Sequence, residues 1–175
     1  MVAGCTNAKS STSESENKWG QYMVDEKGNK ITPTASPTRT PKQMAYDDKN
    51  LAQTIITKGE EWNKAADEIV PTIRRGELST ASNGMKGIRL DMNEYKYAVK
   101  KMKINNQNMA DAWLEYIEKY QMHMYRMDKA INSIKSNRNA EASDSIKTAS
   151  QYRAMADDYY KDAKKIAESV LNQQT

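Results

Sequence analysis

Residues 78–102, "LSTASNGMKGIRLDMNEYKYAVKKM", decide the fold. Leu78, Ala81, Met85, Ile88, Met92, Tyr95, Val99 and Met102 follow one another in alternating steps of three and four. That spacing keeps one face of a helix apolar, and its strict alternation is the seam of helices packed near +20° in a left-handed bundle. A second seam follows in Met109, Trp113, Tyr116, Tyr120, Met124, Met127, Ile131 and Ile134. Between them "INNQN" (104–108) has neither Gly nor Pro, but its three Asn favour a turn and a helix N-cap. If that turn fails, the two segments fuse into one rod of about 60 residues, which would pair as a homodimer.

Upstream, "TPKQ" (40–43) is a helix start: Thr40 caps, Pro41 suits the first helical position, and Gln43 completes a capping box. Leu51, Ile55, Trp62, Ala66, Ile69 and Ile73 then recur at helical spacing. Gly59 weakens the middle of this helix, Pro71 should kink or end it, and Gly76 is a stop. Downstream, "SNRNAEAS" breaks the third seam, with Asn139 as a candidate cap. Ile146, Ala149, Ala156, Tyr159, Ala163, Ile166 and Val170 then carry a last helix to the end. The reading is an all-α, elongated up-down-up-down four-helix bundle over 41–175, with helices at about 41–75, 78–104, 107–136 and 139–173, joined by short connections.

Composition agrees with thin helices. Only 38% of the 175 residues are hydrophobic and 29% are charged; Phe is absent, while Met and Tyr number 11 and 10. Mean hydropathy is −0.93. A globule of this size needs more Leu, Val and Phe, whereas each bundle helix needs one narrow apolar stripe. The +4 net charge is concentrated in 76–104, through Lys86, Arg89, Lys96, Lys100, Lys101 and Lys103. Several of these cations sit where a helix ends and stabilise its carbonyl dipole, so they do not make the chain a nucleic-acid binder.

Within 120–127, "YQMHMYRM" holds the sole histidine beside three methionines. Imidazole and thioether together suit Cu(I), and the same pair ligates haem iron. Helical geometry puts Met124 and Met127 on the seam, His123 on its flank and Met122 facing away, at about 100° per residue. His123 and Met127 therefore form an i, i+4 pair with Met124 beside them. An antiparallel register sets Met124 level with Met85 and Met92, and brings Met155 and Trp62 to the same height. The candidate copper or haem ligands are thus His123, Met127, Met124, Met92, Met85 and Met155. The structural alternative is a core filled by methionine against Trp and Tyr. No attachment motif for haem is present.

Enzymatic motifs are lacking. Di-iron bundles need ExxH pairs, and Tyr120 stands three residues before His123. The acidic doublets Asp47–Asp48, Glu60–Glu61 and Asp157–Asp158 diverge by about 100° on a helix and read as solvated faces. A non-enzymatic role is expected.

The first forty residues are of another kind. Val2, Ala3, Gly4 and the single cysteine, Cys5, resemble a lipobox, the motif before the lipidated cysteine of bacterial-type lipoproteins. The resemblance implies that residues 1–4 are a signal-peptide remnant and that Cys5 carries a diacylglyceryl thioether. It also implies an extracytoplasmic, membrane-anchored protein of the periplasm or cell surface, with a charged and then apolar stretch upstream of Val2. "TNAKSSTSESEN" (6–17) has the small polar composition of a flexible tether, and 5–40 as a whole reads as tether. Trp19, Tyr22, Val24 and Ile31 around "DEKGN" suggest a small β-hairpin at 18–32. The expected role is a binding or structural module of the cell envelope, tethered to the membrane through lipid on Cys5 and engaging a protein partner. A copper or haem carrier and a self-assembling rod are the alternatives.

Overall fold

The computed structural model describes residues 40–173, which fall within one compact unit, Arg39–Thr175. Cys5, the tether over 5–40 and the hairpin expected at 18–32 lie outside the described residues, Thr40 excepted. The described chain is an all-α helical bundle of four long helices and one short one, without strands. None of these helices is long and apolar enough to cross a membrane.

Local chemistry sets most of the ends. The Thr40 hydroxyl accepts from the Gln43 N–H, and the Gln43 side-chain oxygen accepts from the Thr40 N–H at 2.9 Å. With Pro41 at its first position, this capping box opens α1, Pro41–Asp67. The chain breaks at Glu68 and resumes as α2, Ile69–Arg74. The single helix expected over 41–75 is therefore two. Proline lacks the N–H that would bond four residues back, and its ring crowds that carbonyl. The break belonging to Pro71 consequently appears at Asp67–Glu68, one turn upstream. Gly76 then ends α2 in the left-handed region at φ 78°, where a Cβ is costly. Its N–H donates to the Ile73 carbonyl and the Glu77 N–H to that of Thr72, a complete Schellman motif.

Helix α3, Leu78–Lys101, runs through both Gly84 and Gly87, and its whole seam faces inward. Met102 is extended, and α4, Gln107–Lys135, begins after Asn106, whose side chain accepts from the Met109 N–H at 3.2 Å. No fused 60-residue helix forms among the described residues: α3 and α4 are separate helices. The break is held from a distance as well as by its own asparagines. The Asp48 carboxylate of α1 accepts from the backbone N–H of Asn105 at 2.9 Å and of Asn106 at 3.2 Å. Asp48 is buried, not a solvated face. Two charge-assisted bonds to orphan backbone donors justify its desolvation.

A second Schellman motif, with Asn137 at φ 55°, closes α4. It leads into α5, Asn139–Asn172, whose N-cap position is Arg138. The expected cap, Asn139, is the first helical residue instead. The inward stripe of α5 also differs from expectation. Ala142, Ala149, Ala156 and Ala163 recur every seventh residue and are buried with Ser145 and Ala167, while Ile146 is exposed. Helix α4 already fills the interior with Trp113, Tyr116 and Tyr120, so α5 presents small residues and comes close. Its most extensive contact is with α4.

Gly59 has the opposite role to the glycines of α3. A Cβ there would overlap the Tyr160 ring of α5, whereas one on Gly84 or Gly87 would meet nothing within 4 Å. Glycine costs a helix interior about 1 kcal/mol relative to alanine. Gly84→Ala and Gly87→Ala should therefore each stabilise the fold by up to about 1 kcal/mol, and Gly59→Ala should destabilise it by about 1–3 kcal/mol through overpacking. Urea denaturation of the three variants checks the change of sign.

Candidate functional site

The middle of the bundle is an aromatic layer built from all four long helices. Trp62 of α1 stacks on Trp113 of α4, with centroids 5.3 Å apart and planes 8° apart. Tyr95 of α3 meets Trp62 edge-on at 5.6 Å. Tyr116 lies 5.0 Å from Trp113 and 5.1 Å from Tyr160 of α5, and Tyr120 lies 5.3 Å from Tyr116. Each such pair adds about 0.5–1.5 kcal/mol to the area it buries. The seam spacing of α4 (113, 116, 120) places three of these rings on one face, which is why they form a column.

Polar groups anchor the layer at both sides. The Trp62 indole N–H donates to Asp91 at 2.7 Å, and Lys58 bonds the same carboxylate at 3.4 Å. The Tyr120 hydroxyl donates to the Trp62 carbonyl at 3.3 Å and accepts from Arg153 at 3.0 Å. Arg153 also holds Asp157 at 2.9 Å and Asp67 at 3.6 Å. Burial raises the Tyr116 and Tyr120 phenols well above the ordinary tyrosine range, so both stay neutral donors. The Trp113 indole N–H is buried with no partner among the described residues.

The six candidate metal ligands separate into groups. Met85, Met92 and Met124 are fully buried in the same core as Trp62 and Trp113. Met127 is partly buried against it. Met155 is half-exposed and does not join the thioether layer. It sits one residue, about 100° of helix, from Ala156, and the alanine column has taken the inward face. His123 is partly buried at the edge of the Tyr120 ring, 5.7 Å between centroids. Its Nδ1 lies 2.9 Å from the Ala149 carbonyl of α5. That oxygen only accepts, so Nδ1 carries the ring proton and the Nε2 lone pair is the one left for a ligand. No cluster of three or more His, Cys, Asp or Glu arranged to hold a metal ion occurs among the described residues.

The sequence seams located Trp62, Trp113, Tyr116 and Tyr120 correctly. Asp91 and Arg153 escaped them, because each matters through bonds to helices distant in sequence; a charged residue beside a seam position was the available signal. Open grooves lie elsewhere. One of about 320 Å³ runs between α3 and α4, lined by Arg89, Asn93, Glu118, Gln121, Met122 and Tyr125. Another, of about 500 Å³, lies where Asp48 meets the α3–α4 turn and Val170.

Two outcomes follow. Trp113→Ala should cost about 3–5 kcal/mol in chemical denaturation, as for large buried aromatics. Burial also lowers the His123 pKa from its ordinary 6.5, with the Ala149 bond opposing. The unfolded chain therefore binds the proton more tightly than the folded one. The stability this neutral ring contributes is complete above about pH 6.5 and is lost as pH falls through the lower folded value. Melting temperatures between about pH 7 and pH 5 should fall more steeply for the native chain than for His123→Gln.

Comparison of the chain with protein-family models, curated proteins and solved structures gives no match.

Proposed function

We propose that the protein is a lipid-anchored, extracytoplasmic bundle of up-down-up-down topology that acts by binding another macromolecule at the cell envelope. The observation that carries this reading is the lone cysteine, Cys5, placed behind Val2, Ala3 and Gly4 and followed by the polar run of 6–17. Two properties of the bundle support it. Its interior is occupied by Trp62, Trp113, Tyr116, Tyr120, Met85, Met92 and Met124, so recognition falls to the outer faces. Its cross-helix pairs run in opposing order. Lys58 meets Asp91 while Asp48 meets Asn105; Ser82 meets Asp128 while Lys96 meets Glu118; Tyr116 meets Tyr160 while His123 meets Ala149.

The test is cell fractionation in the native host, with the gene expressed from its natural start. The native chain is expected in the membrane fraction, and Cys5→Ala in the soluble one. Both forms soluble, or both membrane-bound, would overturn the anchor.

A further inference from the structure

Helix α3 carries a second stripe on the side opposite its core seam. Asn83, Gly87, Leu90, Glu94, Tyr97 and Lys101 follow one another in steps of four and three, and all are exposed. Leu90 and Tyr97, at 66% and 64% exposure, are among the most exposed large apolar side chains of the described bundle. Gly87 leaves bare backbone between them and the start of the helix, although nothing in the fold fills the space above it. From Asn83 to Lys101 the stripe is about 27 Å long at 1.5 Å per residue. One flank adjoins the α3–α4 groove, where Met122 and half-exposed Tyr125 give apolar surface and Arg89 lies over the Tyr125 ring at 5.7 Å.

The unpaired charge around this stripe is mainly positive, the groove's Glu118 being paired with Lys96 and Lys119, each at 3.7 Å. Lys86, Lys100 and Lys101 are exposed and form no ion pair among the described residues, and Lys101 rests over the Tyr97 ring at 4.1 Å. Glu94 is the one exposed acid of α3 itself. The helix dipole accounts for cations in the last turn, but not for Lys86 four turns earlier or for apolar residues between the two.

We propose that this outer face of α3 docks an amphipathic helix of a protein partner whose flanks are acidic. The proposal rests on the reading of the chain as a binding module and names the partner's chemistry. A helix laid along the stripe buries Leu90 and Tyr97, approaches closely over Gly87, and sets its acids against Lys86, Arg89 and Lys100. A second copy of this chain would oppose like charges along the stripe. A lipid surface would take the lysines and Tyr97 but make no use of the gap over Gly87.

The probe is a pair of synthetic helical peptides with one shared leucine seam, flanked in one by glutamates and in the other by lysines. Fluorescence anisotropy with the full chain reads binding. The Glu-flanked peptide is expected to saturate at one per chain and to lose about tenfold or more in affinity in Leu90→Ser with Tyr97→Ser, and likewise in Lys86→Glu with Lys100→Glu. Gly87→Ala should weaken binding while raising the melting temperature, a combination that damage to the fold does not produce. Equal binding of the Lys-flanked peptide, no saturable binding, or insensitivity to these variants would overturn the proposal. So would self-association through this face, or anionic vesicles competing the peptide away. A photo-reactive benzoylphenylalanine at position 90, or at 46 on the outer side of α1, separates this face from the broader reading in cells. Protein adducts from position 46 alone sink the α3 face and keep the binding module; adducts from position 90 to an acidic helix support both.

Discussion

The near-parallel stack of Trp62 on Trp113 is the contact from which the rest of the bundle takes its register. Each ring belongs to a different helix and touches a ring of a third or leads to one on a fourth. Tyr95 brings α3 against Trp62, and Tyr116 passes the contact to Tyr160 of α5. Tyr160 in turn lies over Gly59, returning the circuit to α1 one turn before Trp62. Four helices are thus tied at one height. Sliding one of them by a turn would separate packed rings, and sliding α1 or α5 would move the Tyr160 ring off Gly59 onto a residue that bears a Cβ.

Polar bonds make that height unique where apolar packing alone would tolerate shifts. The indole N–H of Trp62 needs an acceptor once buried, and Asp91 supplies it from α3. The Tyr120 hydroxyl joins the Trp62 carbonyl to Arg153, so α1, α4 and α5 share one hydrogen-bond path beside the stack. Leaving any of these groups unmatched in the core costs about 1–3 kcal/mol, which penalises wrong registers more than it strengthens the right one. At the end of the bundle, Asp48 does the same for the turn between α3 and α4.

The middle of the bundle is filled by its own side chains. Methionine and aromatic side chains occupy it, and the alanine column lets α5 close against α4. Helix α3 contributes a core seam on one side and a glycine, apolar and lysine stripe on the other. Both faces are written in the same run of residues at the same three-four spacing, so a single helix serves the interior and the surface together.

Much of this was legible in the residues alone. Thr40, Pro41 and Gln43 fix the start of α1, Gly76 fixes a stop, and the seams over 78–102 and 109–131 face the core. These follow from forces acting within four or five residues, namely capping bonds, the left-handed preference of glycine and the helical period. The break at Glu68 lay within the same rules, displaced one turn because proline acts on the carbonyl four residues behind it. The tertiary structure decided the rest. It turned Met155 and Ile146 outward, buried Asp48, and made Gly59 a requirement where Gly84 and Gly87 are a cost to the fold. Periodicity names a stripe to within about one residue, or 100° of helix. Which of two neighbouring side chains enters the core depends on the volume its partner helix has already filled, and that is set by residues tens of positions away.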